Sequence, residues 1–570
     1  MTVPTLPADL VPALQALRDR VAGIRLGLAT PETEAATRSA RAVVEQVDDY
    51  LLPRLRDLDA PLLAVVGGST GAGKSTLVNS LVGVEVSTAG VLRPTTRSPV
   101  LVCAESDRSW FTGDRVLPGL ARVTGGDAGP GSLRLVALPD LPPGLALLDA
   151  PDVDSVVASN RDLAAQLLAA ADLWLFVTTA ARYADAVPWD LLRTARERAT
   201  ALALVLDRVP PEAVTEVRDD LAQMLDRSGL PDARLFVVEE RPLQDGRLPD
   251  GQVAPIRGWL HELAADAEAR GAVVRQTLAG ALDSLDGRVA SLVTAVERQD
   301  EAAAALLEAA DASYALAGRD VDEGVQSGTL LRGEVLARWQ DFVGTGELMR
   351  SLEARFGRLR DRVTAAITGR KTPADELAGA LENSVETLVR TAADRAAERT
   401  VVAWRSTAGG ADLLAGRERE LDRASADFAA HAATEVRDWQ GFVLDLVRSE
   451  GADKRSTARA LSLGVNGAGL AVMVAVFAHT GGLTGGEVAV AGGTSAAGQK
   501  LLEVVFGDSA VRTLAARART DLRARTERLL SAEQARFAEL VGAAVPAEGS
   551  AAELRVALAA MTTARRQGRA

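Results

Sequence analysis

The sequence predicts two textures in one chain: an α/β domain on a mostly parallel sheet with helices on both faces, and a long all-α region. Three observations lead there. Between Ala60 and Ala264, short strand-like runs alternate with helical patterns, as in a parallel sheet covered on both sides. Between Pro255 and Pro546 the only proline is Pro373, and apolar residues recur at helical spacing. The 570 residues also exceed what one hydrophobic core organises, so about two to four domains are expected.

Composition narrows the class. With 47% hydrophobic and 25% charged residues the chain is globular, and 4% aromatics beside abundant Ala, Leu, Val and Arg favours long helices. A net charge of −13 argues against bulk nucleic-acid binding. Cys103 stands alone and the three histidines (His261, His431, His479) are scattered, which excludes an internal disulfide and leaves no zinc spacing. The N-terminus lacks a basic-then-apolar signal pattern, so secretion is not expected.

Two helices are expected over 7–28 and 31–58, with Leu10, Leu14, Leu17, Val21 and Ile24 on one face and Pro31 near the second start. Such helices either pad the following domain or join a distant bundle; local periodicity does not choose. Strands are expected at Leu62–Val66, Pro99–Cys103, Leu133–Leu138, Leu145–Leu148, Leu173–Thr178, Ala201–Leu206 and Leu235–Val238, with helices at Val187–Arg198 and Glu212–Arg227 among the later ones.

Behind the first strand lies the run from Gly67 to Gly83, GGSTGAGKSTLVNSLVG. Gly68, four residues and Gly73-Lys74-Ser75 give the full phosphate-loop spacing. A polyphosphate needs backbone N–H groups converging from a tight loop, and glycines remove the Cβ atoms that would block it. The loop of Gly68, Ser69, Thr70, Gly71, Ala72, Gly73, Lys74, Ser75 and Thr76 is therefore the candidate nucleotide cradle. Lys74 reaches the β/γ-phosphates, Ser75 offers its hydroxyl to Mg²⁺, and the helix that begins there turns its positive end to the anion. A nucleoside triphosphate is the expected ligand.

In the all-α region, Leu282, Leu285, Val289, Leu292 and Val296 form one stripe and Trp439, Phe442, Val443, Leu446 and Val447 another. Turns or bends are expected at Gly344-Thr345-Gly346 and Ala408-Gly409-Gly410. Ala460 to Ala478 contains no charged residue, follows Lys454, Arg455 and Arg459, and precedes a Gly-rich loop and a second weakly polar stretch, Val488 to Ala497. As a helix, Leu461 to Ala478 spans about 27 Å, close to a hydrocarbon core. It reads as a hairpin that enters a bilayer, or as buried packing; Asn466, Gly464, Gly467 and Gly469 favour the latter. Next come Arg512, Arg517, Arg519, Arg523, Arg525 and Arg528 against only Asp521 and Glu527, a face for anionic headgroups or a solvated, inter-helix-paired one.

Several phosphate-loop classes share the loop, so the deciding residues lie elsewhere. GSTGAGKSTL alone resembles an ABC transporter ATPase, but an LSGGQ-like signature and a strand ending in Asp-Glu are both missing. Leu77-Val78-Asn79-Ser80-Leu81-Val82-Gly83 is similar to the GKSTLxNxLxG helix of translation-factor-type GTPases. Thr96-Arg97-Ser98-Pro99-Val100-Leu101 resembles the switch I segment of dynamin-like GTPases, and Asp149-Ala150-Pro151-Asp152 their Asp-x-Pro-Gly switch II motif. The motif resemblance covers residues 60–210 and is strongest toward actinobacterial proteins of the bacterial dynamin-like group.

That resemblance implies an α/β P-loop GTPase domain plus a helical stalk with an apolar hairpin tip. Segments are expected at 1–59 (N-terminal helices), 60–264 (GTPase domain), 265–455 (stalk), 456–507 (apolar hairpin) and 508–570 (returning helix and basic tail). It implies GTP as substrate, Mg²⁺ as cofactor, and self-assembly as a homo-oligomer or with a related GTPase. It also implies a lipid membrane as partner, from the cytoplasmic side. Lys74, Thr96 and Thr70 would be the catalytic set; Ser75, Thr96 and Asp149 would serve the metal, Asp149 through a water; Asp207 and Arg208 would face the base.

Three departures matter. Thr70 stands where dynamins place a water-orienting glutamine, so hydrolysis is expected to be slow or differently organised. Asp152 replaces the switch II glycine and adds negative charge near the γ-phosphate. After the strand Ala201–Leu206 the chain offers Asp207-Arg208-Val209-Pro210, with Pro210 in place of the guanine-selecting aspartate, so guanine rests on the resemblance alone. The rival reading is a soluble phosphate-loop NTPase switch whose helical region binds a protein, with the apolar hairpin buried. A small-molecule kinase lacks an evident lid or substrate site.

Overall fold

The computed structural model of the chain describes residues 9–87, 98–113, 115–117, 119–125, 131–155, 158–197, 200–327, 330, 334–335, 337–338, 341, 373–450, 473, 476 and 508–567. Contacts divide it into two compact units. The first draws on Met1–Ile24, Glu32–Glu297 and Ala547–Ala570; the second on Arg25–Pro31 and Arg298–Pro546.

The first unit holds an eight-stranded sheet. Its strands are β1 (Leu62–Gly68), β2 (Val100–Ala104), β3 (Ala121–Val123), β4 (Ser132–Leu138), β5 (Leu145–Asp149), β6 (Leu173–Thr179), β7 (Ala201–Val209) and β8 (Arg234–Glu239). Their order is β3-β4-β2-β5-β1-β6-β7-β8. Every neighbouring pair is parallel except β2 with β5. β1 and β6 are buried along their whole length, which is why they read as continuous apolar runs. One face is covered by α4 (Lys74–Val82) and α9 (Asp250–Ala265), whose Leu77, Val78, Leu81, Val253, Ile256 and Leu260 share a core with Leu62, Ala64 and Val66 of β1. The other is covered by α6 (Ala158–Ala169), whose Ala164, Leu167 and Leu168 meet Leu63 and Val65. Alternate residues of β1 thus serve opposite faces, as the pleat requires.

The expected strands are present within a residue or two, except that β7 runs three residues beyond Leu206. A bulge between Leu206 and Val209 lets Val209 pair with Glu239 of β8. β3 was not expected; three residues carry no readable alternation. The expected helix 31–58 is instead α2 (Thr33–Gln46), a π-helical turn (Val47–Leu51) and α3 (Leu52–Arg56). Pro53 has no N–H to return to Asp49, and the ladder widens there. Arg54 of α3 forms a buried ion pair with Asp172 before β6; it also donates to the Ala60 and Pro61 carbonyls (2.9 and 3.1 Å), while the Leu63 amide donates to Asp172 (2.8 Å). This knot fixes where β1 begins.

Also in the first unit are α1 (Leu10–Ala22), the start of α10 (Ala267–Gln326) and α16 (Ser550–Gln567). The stripe Leu282, Leu285, Val289, Leu292 and Val296 of α10 is buried there. Arg565 pairs with Asp283 and Asp286 of α10 at 2.8 and 3.1 Å.

The second unit is all-α. It contains the remainder of α10, α11 (Pro373–Ser406), α12 (Gly410–Leu414), α13 (Glu418–Leu421), α14 (Phe428–Glu450) and α15 (Asp508–Ala544). The chain turns between α11 and α12 at Ala408-Gly409-Gly410; Gly344-Thr345-Gly346 lies outside the described residues. Trp404, Trp439 and Phe537 centre the core; the indole N–H groups donate to the Leu306 and Ala518 carbonyls (2.9 and 2.8 Å), so each buried donor is satisfied. From the second expected stripe, Trp439, Val443 and Val447 are buried and Phe442 and Leu446 half-buried.

Of the uncharged stretch 460–478, two residues are described: Met473 and Val476 are helical and buried in this core. The rest of the expected hairpin, 456–507, lies outside the described residues. Among those described, no helix is long and apolar enough to cross a membrane. The basic face of α15 is partly paired: Arg525 with Asp521 and Glu435, Arg528 with Glu435, Arg523 with Asp322 and Glu527.

Candidate functional site

The register of the sheet assembles the site. β1 is flanked by β5 and β6, and Val66 lies opposite both Asp149 and Leu175. The loop after β1 therefore emerges at the carboxyl edge of the sheet, where open α/β sheets bind ligands. Gly68 has φ +149°, and a Cβ there would lie 2.1 Å from the Val177 carbonyl oxygen. Gly73 has φ +92°, and a Cβ there would lie 2.5 Å from an Asp207 carboxylate oxygen. Both positions exclude side chains for steric reasons, beyond any need to admit a phosphate.

Between them, Ser69 and Ala72 are buried, and the Ala72 amide donates to the Ser69 carbonyl (3.1 Å). The Ser69 hydroxyl is buried with no hydrogen-bond partner among the described residues. Gly71 adopts φ +75°. α4 starts at Lys74; Ser75 and Thr76 fill its first turn, and the Thr76 carbonyl accepts from Ser80 (2.6 Å). Lys74 is 5% exposed. Its ammonium donates to the Gly68 and Ser69 carbonyls (3.0 and 3.1 Å) and to Asp152 (2.5 Å). The Asp152 carboxylate thus rests on the lysine that the sequence offers for phosphate.

Asp149 lies beside Ser75 at the start of α4. Its Oδ2 accepts from Ser75 (2.7 Å) and Ser87 (2.5 Å), while Oδ1 is buried with no hydrogen-bond partner among the described residues. Burial pushes its carboxyl up, opposed by the two serine hydrogen bonds and by Lys74. A buried carboxylate oxygen without a donor, beside a serine hydroxyl at a helix start, is a donor set that fits Mg²⁺, which uses one or two protein groups plus phosphate and water. Among the described residues no cluster of three metal-ligating side chains occurs.

Asn79 supports this arrangement. Its amide nitrogen donates to the Ser87 carbonyl (2.7 Å), and its oxygen accepts from the Val86 and Ser87 amides (both 2.9 Å). That pins the segment leading to 88–97 and delivers Ser87 to Asp149. Thr96, with Arg93 to Arg97, lies outside the described residues.

Thr70 is already engaged. Both its amide and its hydroxyl donate to Asp154 Oδ1 (2.6 Å each), and its carbonyl accepts from Arg182 (3.1 Å). Arg182 also pairs with Asp154 (2.8 Å) and Asp185 (2.9 Å). Burial alone would raise the Asp154 carboxyl, but the Thr70 and Arg182 interactions outweigh it and hold it below its ordinary value. Sequence reasoning missed Asp154, Arg182 and Ser87. Only the second acid of Asp152-Val153-Asp154 gave a local signal; Arg182 is 112 residues from its loop partner.

Of the residues expected to face the base, Asp207 lies against Gly73 while its Oδ1 accepts from the Arg208 amide (2.8 Å). Arg208 has φ +56°, a left-handed backbone that a non-glycine residue adopts at a cost. Both sit within β7, not in a loop after it.

No protein-family model matches the chain, and no curated protein matches it. Among solved structures, it is similar to a member of an oligomerised bacterial dynamin pair implicated in long-range sensing and tethering of membranes. The identity is 10% over 98% of this chain and 94% of that one, with a TM-score of 0.36. It is also similar to Toc33 from Arabidopsis thaliana, solved with Mg²⁺ and GMPPNP, at 16% identity over 40% of this chain and 93% of that one (TM-score 0.23). The strand order and the β1–loop–α4 unit make the fold an α/β P-loop domain on a mostly parallel sheet, with a long helical region following it in the chain.

Proposed function

We propose that the chain is a dynamin-like GTPase that binds and hydrolyses GTP with Mg²⁺ and binds or remodels membrane through nucleotide-dependent assembly. The observation that carries the nucleotide part is the convergence of Lys74, Ser75 and the partnerless Asp149 oxygen at one loop. The switch motifs around Thr96 and Asp149 support the dynamin-like part; the uncharged stretch 460–478 supports the membrane part.

In this reading Lys74 exchanges Asp152 for β/γ-phosphate oxygens, and the loop amides other than those of Thr70 and Ala72, which donate to Asp154 and Ser69, cradle the anion. Ser75, and Asp149 through a water, would hold Mg²⁺ with Thr96 completing the set, and the ion would supply charge neutralisation at the phosphate oxygens. Thr96 also aims its carbonyl at the attacking water. Water oxygen bonds to the γ-phosphorus as the bond to the β-bridging oxygen breaks, leaving GDP and phosphate. Thr70 contributes through Asp154, since its amide and its hydroxyl both already donate to that carboxylate. GTP-driven self-association, or pairing with a related GTPase, would then bias one arrangement of the helical region over another.

A second reading has support of its own: a P-loop switch whose helical region binds a protein, with the apolar stretch packed inside. Met473 and Val476 are buried in the bundle core, and Arg523, Arg525 and Arg528 of α15 are ion-paired. Flotation of the full chain with anionic liposomes, with GDP and with a non-hydrolysable GTP analogue, separates the two. Co-migration in either state supports the membrane reading; none in any state removes it.

A further inference from the structure

The P-loop reading leaves the base without a reader: a guanine presents two adjacent donors, N1–H and the 2-amino group, and Pro210 has no side chain to accept them. Its carbonyl is also committed, accepting from the Ala213 amide (2.9 Å). The neighbouring strand offers an acceptor. β7 and β8 are parallel, and Val209 lies opposite Glu239. The next residue, Glu240, donates its amide to the Val209 carbonyl (2.8 Å), which places it beside Pro210 on the carboxyl edge that carries the phosphate loop.

Among the nearby carboxylates, Glu239 is paired with Arg241 at 2.6 Å, whereas Glu240 is exposed and has no ion pair among the described residues. Its charge also reaches the site: Asp207, raised mainly by burial and lowered by Arg208, is raised further by Glu240. Asp207 in turn touches Gly73 of the loop. Arg208 stands between, exposed and held in its left-handed backbone by the Asp207 carboxylate. Costly conformations of this kind persist where surrounding structure enforces them, often at ligand clamps.

We infer that Glu240 is the base-selecting residue of this site: its carboxylate accepts from N1–H and the 2-amino group of guanine, while the Arg208 guanidinium covers the ring face. The proposal rests on the P-loop reading above and adds to it the choice of GTP over ATP. A carboxylate matches two parallel donors, and adenine, with an acceptor at N1 and no 2-amino group, leaves it unpaired.

The test is equilibrium titration of the full chain with Mg²⁺ and the triphosphates of guanine, inosine, xanthine and adenine. Wild type is expected to bind GTP most tightly, ITP more weakly and ATP weakest. Glu240→Gln is expected to lose about ten- to a hundredfold in GTP affinity. It should leave ATP unchanged and gain for XTP, because an amide can donate to the xanthine 2-oxygen. Glu239→Gln and Glu212→Gln are expected to keep the wild-type ranking. Equal wild-type affinity for GTP and ATP, or an unchanged ranking in Glu240→Gln, overturns the inference while leaving the phosphate loop standing. Loss of selectivity in Glu212→Gln instead moves the reader to the turn after β7. Absence of binding to every triphosphate overturns the P-loop reading itself.

Discussion

Asp152→Asn isolates the most unusual contact of the site. In this structure the Asp152 carboxylate holds the ammonium that a triphosphate would need, at 2.5 Å. Lys74 is 5% exposed and Asp152 20%, so the pair is screened far less than a surface bridge. A hydrogen bond involving charged groups contributes about 1.5–3 kcal/mol. Asp152 keeps some solvent, which favours the lower part of that range, about 1.5–2 kcal/mol. Binding must break this bond before Lys74 can turn to phosphate. Asparagine keeps the shape and removes the charge, so affinity should rise by the corresponding factor, about ten- to thirtyfold. The assay is fluorescence titration with a labelled non-hydrolysable GTP analogue at fixed Mg²⁺ and salt. An unchanged or weaker dissociation constant refutes the reasoning, since Asp152 would then not compete with the ligand.

Other consequences follow from single contacts. Asn79→Ala removes three buried hydrogen bonds and strands the Val86 and Ser87 amides, so urea unfolding should show a loss of about 2–4 kcal/mol; a loss below about 1 kcal/mol contradicts the role given to Asn79. The Asp154 carboxyl is held below its unfolded value, so its stabilisation is full above about pH 4 and fades as pH falls through the folded value. Thermal unfolding between pH 6 and pH 3 should therefore show wild type and Asp154→Asn converging on acidification; a constant gap contradicts the Thr70–Asp154–Arg182 latch. Burial, with Asp107 and Glu105 nearby, pushes the Cys103 thiol up to about 12. Native protein at pH 8 should resist iodoacetamide, as read by mass spectrometry, and urea-unfolded protein should not.

Much of this molecule was legible because its signals are local. The glycine spacing, the apolar run of β1 and the helical pattern after Lys74 lie within about twenty residues, and each answers to backbone sterics or burial. The two apolar stripes were readable because α10 and α14 each bury one face. What escaped is what the sheet brings together from a distance. Thr70 meets Asp154 and Arg182 across 84 and 112 residues, a pairing no spacing encodes. The last three residues of β7 were hidden because a bulge, set by β8, carries the strand through Asp207-Arg208. The break at Val47–Leu51 did have a cue in Pro53, but a proline close to the expected helix end at 58 reads as readily as a kink or a stop.

The central claim is that the loop from Gly68 to Thr76 binds a Mg²⁺-dependent nucleotide through Lys74. Isothermal titration of the purified full chain with a non-hydrolysable GTP analogue tests it directly. One site per chain is expected in the presence of Mg²⁺, weakened by chelation and abolished in Lys74→Ala with the fold intact by circular dichroism. Near-wild-type affinity in Lys74→Ala, or no binding by wild type, would contradict it.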